Sequence, residues 1–213
     1  MHHSPSAGLA SNEVTAVTQD ATGYIWIGTN NGLQRFDGVR YETFRSRQYD
    51  PTSIPNNVII QLLFDKKKNL WLVTADGKVG IFDTRRFVYH QARVKLKDDS
   101  FLLHGRKLIC DDAGNIILLF VGSGVVTWNE TNREFSAQYN FIPNSANWDI
   151  NDVVQQPGTK KYWISTRRGM TIYNLLTHKF SYPGHNIEKE KYIDKLGTIP
   201  LPGNLFFDSS GRL

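Results

Sequence analysis

The residues that could carry out catalysis or bind a metal are few and scattered in this 213-residue sequence. None of the six histidines is spaced from a cysteine or carboxylate as zinc ligands usually are. Gly122-Ser123-Gly124 lacks the flanking pattern of a nucleophile elbow, and Cys110 follows two apolar residues, which favours a buried structural role. We therefore predict no catalytic residue, no metal site and no cofactor in this segment.

Another set of side chains has the chemistry of a ligand-binding surface. Arginine supplies forked hydrogen bonds and tryptophan a stacking face, and with polar amides these groups suit an anionic or hydroxyl-rich glycan. The candidate ligand-binding residues, all in predicted turns or links, are Asn30, Asn31, Asp76, Trp148, Arg167 and Arg168. Ordinary exposed turns contain the same residue types, and this alternative stays open.

The composition indicates a globular protein and argues against two classes of partner. The formal charge of +5 is spread along the chain, and the longest basic block, Lys66-Lys67-Lys68, falls in a predicted turn, so this segment is not expected to bind nucleic acid. No apolar run approaches the roughly 20 residues of a membrane helix, so no membrane span is expected. The first residues also lack the pattern of a signal peptide.

A repeated pattern of strands must position these side chains. An aromatic residue followed by Asp or Asn closes each of four similar stretches, at Phe36, Phe82, Trp128 and Tyr173. The steps between them are 46, 46 and 45 residues. A nearly fixed period of this length is typical of architectures in which each unit buries its apolar faces against the next unit.

Each repeat is predicted to form four short antiparallel strands. In the first repeat, turn signals at 19–23, 30–32 and 37–38 separate four short stretches. The central strands carry apolar residues on both faces, as expected for a sheet that is covered on both sides. The sequence thus predicts an all-β fold, a partial β-propeller with about four and a half four-stranded blades in an incomplete ring. A continuous β-sandwich, the alternative, would not need turns that recur at one period.

The predicted domain organisation is a lead-in at residues 1–10 and a single propeller fragment at 11–213. Its blades are expected at about 11–46, 55–90, 104–139 and 150–182, with a partial fifth blade at 203–213. The sequence is expected to stop in mid-repeat, because the next tryptophan would fall just after Leu213. The two end blades should each expose an apolar face.

The recurring tryptophans are predicted to build the fold rather than to bind sugar. Trp26, Trp71 and Trp163 occupy the same position in the second strand of their repeats, and the first two follow a turn aspartate by six residues. Packing between blades explains a position shared in this way better than a stacking platform for sugars does.

Ligand recognition is expected where the repeats differ. In an up-and-down blade, the turn between the second and third strands and the link to the next blade emerge on the same edge. The predicted links, 46–56, 91–106, 140–151 and 183–203, differ in length and sequence. Variable loops on a rigid scaffold are where binding sites usually lie, and the candidate residues fall on this edge.

The first repeat resembles a known family. Residues 19–33, followed by Phe36-Asp37-Gly38, are similar to the two-component regulator propeller repeat, as are the stretch 8–12 and the connector 50–58. The resemblance extends over residues 8–213 and is weakest in the third repeat. It implies the periplasmic sensor region of a bacterial hybrid histidine kinase that is anchored in the inner membrane, with the kinase domains absent from this sequence.

The resemblance therefore implies a non-enzymatic, ligand-sensing fragment that binds a small ligand, such as an oligosaccharide, and signals to a kinase outside this sequence. The other expected partners are the remaining propeller blades or a second copy of the chain. A scaffold for protein–protein interaction is the alternative function. A propeller hydrolase or lyase would need an acid–base or metal set in the central channel, and the innermost strands at 14–17 and 58–60 are largely apolar.

Overall fold

The computed structural model describes residues 8–96, 106–143, 149–196, 204–208 and 211–213. The chain divides into two compact units, Met1–Arg93 and Val94–Leu213. In the described ranges the regular structure is β-sheet, apart from a 3₁₀ turn, Ala137–Tyr139, and a six-residue helix, α1 (Lys191–Leu196). The predicted all-β fold class is confirmed.

The first unit contains two antiparallel sheets, each with four strands in sequence order. Blade 1 consists of β1 (Val14–Gln19), β2 (Ile25–Thr29), β3 (Gly32–Phe36) and β4 (Tyr41–Phe44). Blade 2 consists of β5 (Ile59–Phe64), β6 (Leu70–Thr74), β7 (Val79–Asp83) and β8 (Val88–Gln91). This up-and-down order is the one that the repeat pattern predicts.

The second unit contains two further sheets with the same order and one addition. A strand that the sequence did not predict, β9 (Arg93–Lys95), lies at the outer edge of blade 3 beside its last strand. Blade 3 itself consists of β10 (Arg106–Cys110), β11 (Ile116–Phe120), β12 (Gly124–Asn129) and β13 (Glu134–Ser136). Blade 4 consists of β14 (Ile150–Gln155), β15 (Lys161–Thr166), β16 (Gly169–Asn174) and β17 (Lys179–Ser181).

The recurring tryptophans are buried, as predicted. Trp26 and Trp71 have no exposed surface and Trp163 is 2% exposed. The ring of Trp26 packs edge to face on Phe82 of blade 2, with 5.8 Å between ring centroids. Gly28, on the same strand as Trp26, allows the two blades to approach each other closely, because a Cβ there would lie 2.8 Å from Ile59 Cγ2 of blade 2. Trp26 therefore joins the two blades of the first unit.

A carboxylate in the turn between the first two strands explains the six-residue spacing. The Asp20 carboxylate accepts the Tyr24 backbone N–H (3.1 Å) and the Trp26 indole N–H (2.9 Å). Asp65 accepts the indole N–H of Trp71 at 2.9 Å in the same way. One side chain thus closes the turn and satisfies the polar atom of the buried tryptophan.

The third repeat lacks the tryptophan, but its turn aspartate still accepts hydrogen bonds through both carboxylate oxygens. Asp111 accepts the Asn115 backbone N–H at 2.8 Å, as the other turn aspartates do. Its other oxygen accepts the hydroxyl of Tyr162, from β15 of blade 4, at 2.7 Å. A tyrosine from the neighbouring blade therefore replaces the missing indole, and the hydrogen bond now joins blades 3 and 4.

The far face of blade 4 is covered by the chain itself, through α1 and through apolar residues in the range 203–213, where the sequence predicts a partial fifth blade. Trp163, Met170 and Ile172 form a cluster with Ile193 of α1, which has no exposed surface. The apolar side chains of Leu205, Phe207 and Leu213 pack against the same cluster. In the part of the chain that the structure describes, no helix is long and apolar enough to cross a membrane.

Candidate functional site

In the first unit, two short turns present three of the predicted residues. The Thr29 hydroxyl donates to the Gly32 carbonyl (2.9 Å) and accepts the Asn31 backbone N–H (2.9 Å), which leaves Asn30 and Asn31 exposed at the tip. In blade 2, Thr74 donates its hydroxyl to the Asp76 carboxylate at 2.6 Å. The threonines thus stabilise these turns.

Both turns are attached to the link between blades 1 and 2, residues 45–58. The Gly32 backbone N–H donates to the Asn57 carbonyl at 2.8 Å, and the Ala75 N–H donates to the Val58 carbonyl at 3.0 Å. The link and the two turns therefore lie on the same edge, as the blade topology predicts.

A cavity of about 440 Å³ lies between this link and blade 2, and we call it the link cavity. One wall comes from the link and the other from residues next to β7 and in β8. Its lining residues are Ser46, Arg47, Tyr49, Asp50, Pro51, Ser53, Ile54, Pro55, Lys78, Tyr89 and Gln91. The sequence identified this link as a place for binding but did not identify these residues.

Local hydrogen bonds fix the conformation of the link. The Asp50 carboxylate accepts both the backbone N–H and the hydroxyl of Thr52, at 2.9 and 2.5 Å, and these bonds lower its pKa. The hydroxyl of Ser53 accepts the Arg47 N–H (3.0 Å). The Tyr89 N–H donates to the Thr52 carbonyl at 2.7 Å, which attaches the link to β8.

The charged groups of the link cavity occur in opposite pairs. Arg47 forms an ion pair with Asp50 at 2.8 Å, and Lys78 forms one with Asp76 at 3.2 Å. Burial acts to raise the pKa of Asp76, but the Thr74 hydroxyl and the Lys78 ammonium outweigh it, so the pKa lies below its usual value. Asp76, predicted as a ligand-binding residue, thus adjoins the cavity through Lys78.

Two tyrosines of the link cavity differ sharply in exposure. Tyr49 is 93% exposed and has a positive φ of 65°, a conformation that residues other than glycine rarely adopt. Tyr89 is 3% exposed, and its hydroxyl has no hydrogen-bond partner among the described residues. It lies over Gly80, where a Cβ would come within 2.6 Å of it. Burial, together with the Asp76 carboxylate, raises the pKa of Tyr89.

The other predicted residues belong to the second unit. Arg167, 75% exposed, forms a long ion pair with Asp149 at 3.4 Å. Arg168 is exposed, and its backbone N–H donates to the Thr166 hydroxyl at 3.0 Å. Trp148 lies outside the described residues.

A buried ion pair on the innermost strands of the second unit was also missed by sequence reasoning. The Lys107 ammonium donates to both oxygens of Asp152, at 2.9 and 2.8 Å, and Asp152 is 1% exposed. The same carboxylate accepts the Leu205 backbone N–H at 2.6 Å. Its bonds are to protein groups from three segments, so its role is structural.

A second cavity, of about 420 Å³, lies among the turns of blades 3 and 4 in the second unit. These turns are on the edge opposite to the one that carries Arg167 and Arg168. Lys161 lines it and forms ion pairs with Glu188 and Glu190, at 2.9 and 2.8 Å. Within the described ranges, no three His, Cys, Asp or Glu side chains come close enough together to hold a metal ion.

Comparison with known proteins connects this geometry to a family. Residues 8–31 match the two-component regulator propeller family. A stretch of 50 residues is 40% identical to Histidine kinase P4 of Formosa agariphila, over 24% of this chain and 4% of the kinase.

Solved structures resemble the chain over most of its length. The extracellular domain of a hybrid two-component system from B. thetaiotaomicron matches with a TM-score of 0.65 at 19% identity, over 94% of this chain and 27% of that chain. A second such domain from the same organism gives 0.58 at 17% identity, over 85% and 31%. The chain therefore spans less than a third of the length of the kinase and of each of these two extracellular domains.

The four up-and-down sheets and the matching solved structures define the class: the chain is part of a β-propeller. Its first repeat is of the two-component regulator propeller type, which confirms the resemblance found in the sequence.

Proposed function

We propose that this chain is a ligand-sensing part of a periplasmic, two-component sensor and that it signals to a histidine kinase outside this sequence. The propeller match at residues 8–31 and the likeness to extracellular domains of hybrid two-component systems support this proposal. The local identity to a histidine kinase supports the link to a kinase. The sensor part itself is non-enzymatic, and the reaction belongs to other domains.

The link cavity is the observation that carries the proposal. It lies on the edge where the links vary, and the hydrogen bonds within its link hold one conformation before a ligand arrives. The resemblance implies an oligosaccharide as the small ligand. Asn30, Asn31 and Asp76 on the adjoining turns, and Trp148, Arg167 and Arg168 in the second unit, are the further ligand-binding candidates.

Binding at this position would couple ligand to conformation. The cavity takes residues from the link and from blade 2, so a ligand contacts both and favours the arrangement that fits it. A ligand shifts a conformational equilibrium only by its difference in affinity for the two states. The link is connected to blade 1 through Asn57 and Gly32, which offers a route for the change.

A thermal-shift screen of the chain against an oligosaccharide library, followed by a glycan array, tests this function. We expect at least one saccharide to raise the melting temperature further as its concentration increases, because a ligand that binds only the folded state stabilises it. Absence of any shift, together with tight capture of a protein partner, would contradict the ligand-sensing role and support the interaction scaffold.

A further inference from the structure

Two cations, Arg47 and Lys78, and one carboxylate, Asp50, line the link cavity, and each cation is paired with a carboxylate although the whole chain carries a formal charge of +5. Arg47 is neutralised by Asp50 and Lys78 by Asp76. An acidic ligand would have to displace or face a carboxylate at either cation. An uncharged ligand meets no such repulsion.

The same ion pairs provide hydrogen-bond donors and acceptors side by side. Arginine and lysine only donate, ionised carboxylates only accept, and serine and glutamine side chains do both. A sugar hydroxyl both donates and accepts, so it can bond to an ion pair without breaking it. Ser46, Ser53 and Gln91 add further groups of this kind to the cavity wall.

An aromatic ring borders these polar groups. Tyr49 keeps an almost fully exposed ring on the link in spite of an unfavourable positive φ. An exposed aromatic face beside polar groups suits a ligand with an apolar ring face and hydroxyl edges. With a volume of about 440 Å³, the cavity has the size of ordinary small-molecule sites.

We infer that the link cavity is a binding site for an uncharged, hydroxyl-rich ring compound and that it discriminates against acidic analogues. Tyr49 stacks on the ring, and the Arg47–Asp50 and Lys78–Asp76 pairs bind its hydroxyls. The inference rests on the proposed sensing function, which it narrows by assigning the site and its selectivity.

Isothermal titration of the full chain with cellotriose, xylotriose, mannotriose and the acidic trigalacturonate tests the site. We expect one of the neutral trisaccharides to bind at least tenfold more tightly than trigalacturonate. Tyr49→Ala should weaken that binding by roughly tenfold, because the stacking contact is lost. Phe206→Ala removes an aromatic ring that is 72% exposed and far along the chain from the link, and it should leave the affinity unchanged.

A charge variant tests the selectivity independently. Asp50→Asn keeps an acceptor for Thr52 but leaves Arg47 without its carboxylate, so the affinity for trigalacturonate relative to that for the neutral trisaccharide should increase severalfold. Neutral binding that Tyr49→Ala does not change would overturn the assigned site and leave the sensing function intact. Tighter binding of trigalacturonate by the unmodified chain would overturn the selectivity. If none of the four sugars binds, the assignment of this ligand class to the link cavity is wrong. The sensing function itself would be contradicted only if the thermal-shift screen of the oligosaccharide library also shows no change in melting temperature.

Discussion

Two buried tyrosines make opposite use of their hydroxyl groups. The Tyr162 hydroxyl donates to Asp111 at 2.7 Å, and burial together with this carboxylate raises the pKa of Tyr162. The Tyr89 hydroxyl is equally enclosed but has no partner among the described residues. A buried polar group without a partner costs free energy, whereas one bonded to a charge contributes to stability.

Replacing each tyrosine by phenylalanine should therefore have different effects on the free energy of unfolding. Tyr162→Phe leaves the Asp111 carboxylate with one donor fewer and should cost about 1.5–3 kcal/mol. Tyr89→Phe should leave stability unchanged or raise it by about 1 kcal/mol, since no hydrogen bond is lost. Urea unfolding measures both, and each variant is the control for the other. Equal losses would mean that the Tyr89 hydroxyl is bonded in solution.

The turn aspartate of the first repeat, Asp20, predicts a loss of stability in acid. Burial acts to raise the pKa of Asp20, but hydrogen bonds from Thr22, Trp26 and Tyr24 outweigh it, so the folded-state pKa lies below the unfolded value of about 3.9. The resulting stabilisation is present above the unfolded pKa and is lost as the pH falls through the folded pKa.

Asp20→Asn should accordingly flatten the pH dependence of stability. The variant lacks the titrating group, so its melting temperature should fall less than that of the unmodified chain between pH 5 and pH 2. Melting curves at half-unit pH steps provide the measurement, with Glu13→Gln, at an exposed position, as the control. A parallel decline in the Asp20→Asn variant and the unmodified chain would contradict this account.

At the level of secondary structure, the buried Lys107–Asp152 pair holds three segments together. Lys107 lies on β10, Asp152 lies on β14, and the Leu205 N–H reaches the same carboxylate. A buried carboxylate that loses its cation is much more costly than an exposed one. The pair therefore stabilises the arrangement of blades 3 and 4 and of the segment 204–208.

Lys107→Met keeps most of the side-chain volume but removes the charge from beside Asp152. We expect a loss of roughly 3 kcal/mol, at the low end for a broken buried pair because Lys107 is 30% exposed. Glu42→Gln, which breaks the more exposed Arg35–Glu42 pair, should cost under about 1 kcal/mol. Urea unfolding compares the two. Faster hydrogen exchange at the Leu205 amide in Lys107→Met would identify the segment that is released, and equal losses in both variants would contradict a buried role.

The strands and turns could be predicted from sequence because they are local and repeated. The Asp20–Trp26 spacing, for example, is closed by a hydrogen bond within one turn. β9 has only three residues, too few for a periodic signal, and Lys107 and Asp152 are 45 residues apart, so their pairing depends on the packing of two blades. The link cavity was predicted only as a region, because its wall depends on the contact between Thr52 and Tyr89.

At the scale of the whole molecule, the outer face of blade 4 needs a cover. In a propeller blade that face packs on the next blade, since a sheet with two apolar faces is stable only when both are buried. Here Ile193 of α1 and the apolar side chains of Leu205 and Phe207 occupy the face that contains Trp163. The chain thus limits the apolar surface that its last blade would otherwise offer to a second copy.

Ile193→Asp should remove this cover. A carboxylate at a position without exposed surface cannot stay against Trp163 and Met170, so α1 should detach and leave an apolar patch on blade 4. Sedimentation velocity at several concentrations should show more self-association than in the unmodified chain, together with a lower melting temperature. Tyr192→Asp, at the preceding and 42% exposed helix position, should change neither, because that side chain already contacts water. If Ile193→Asp behaves like Tyr192→Asp, α1 does not protect the face, and the contacts of Leu205, Phe207 and Leu213 must be sufficient to keep blade 4 from association.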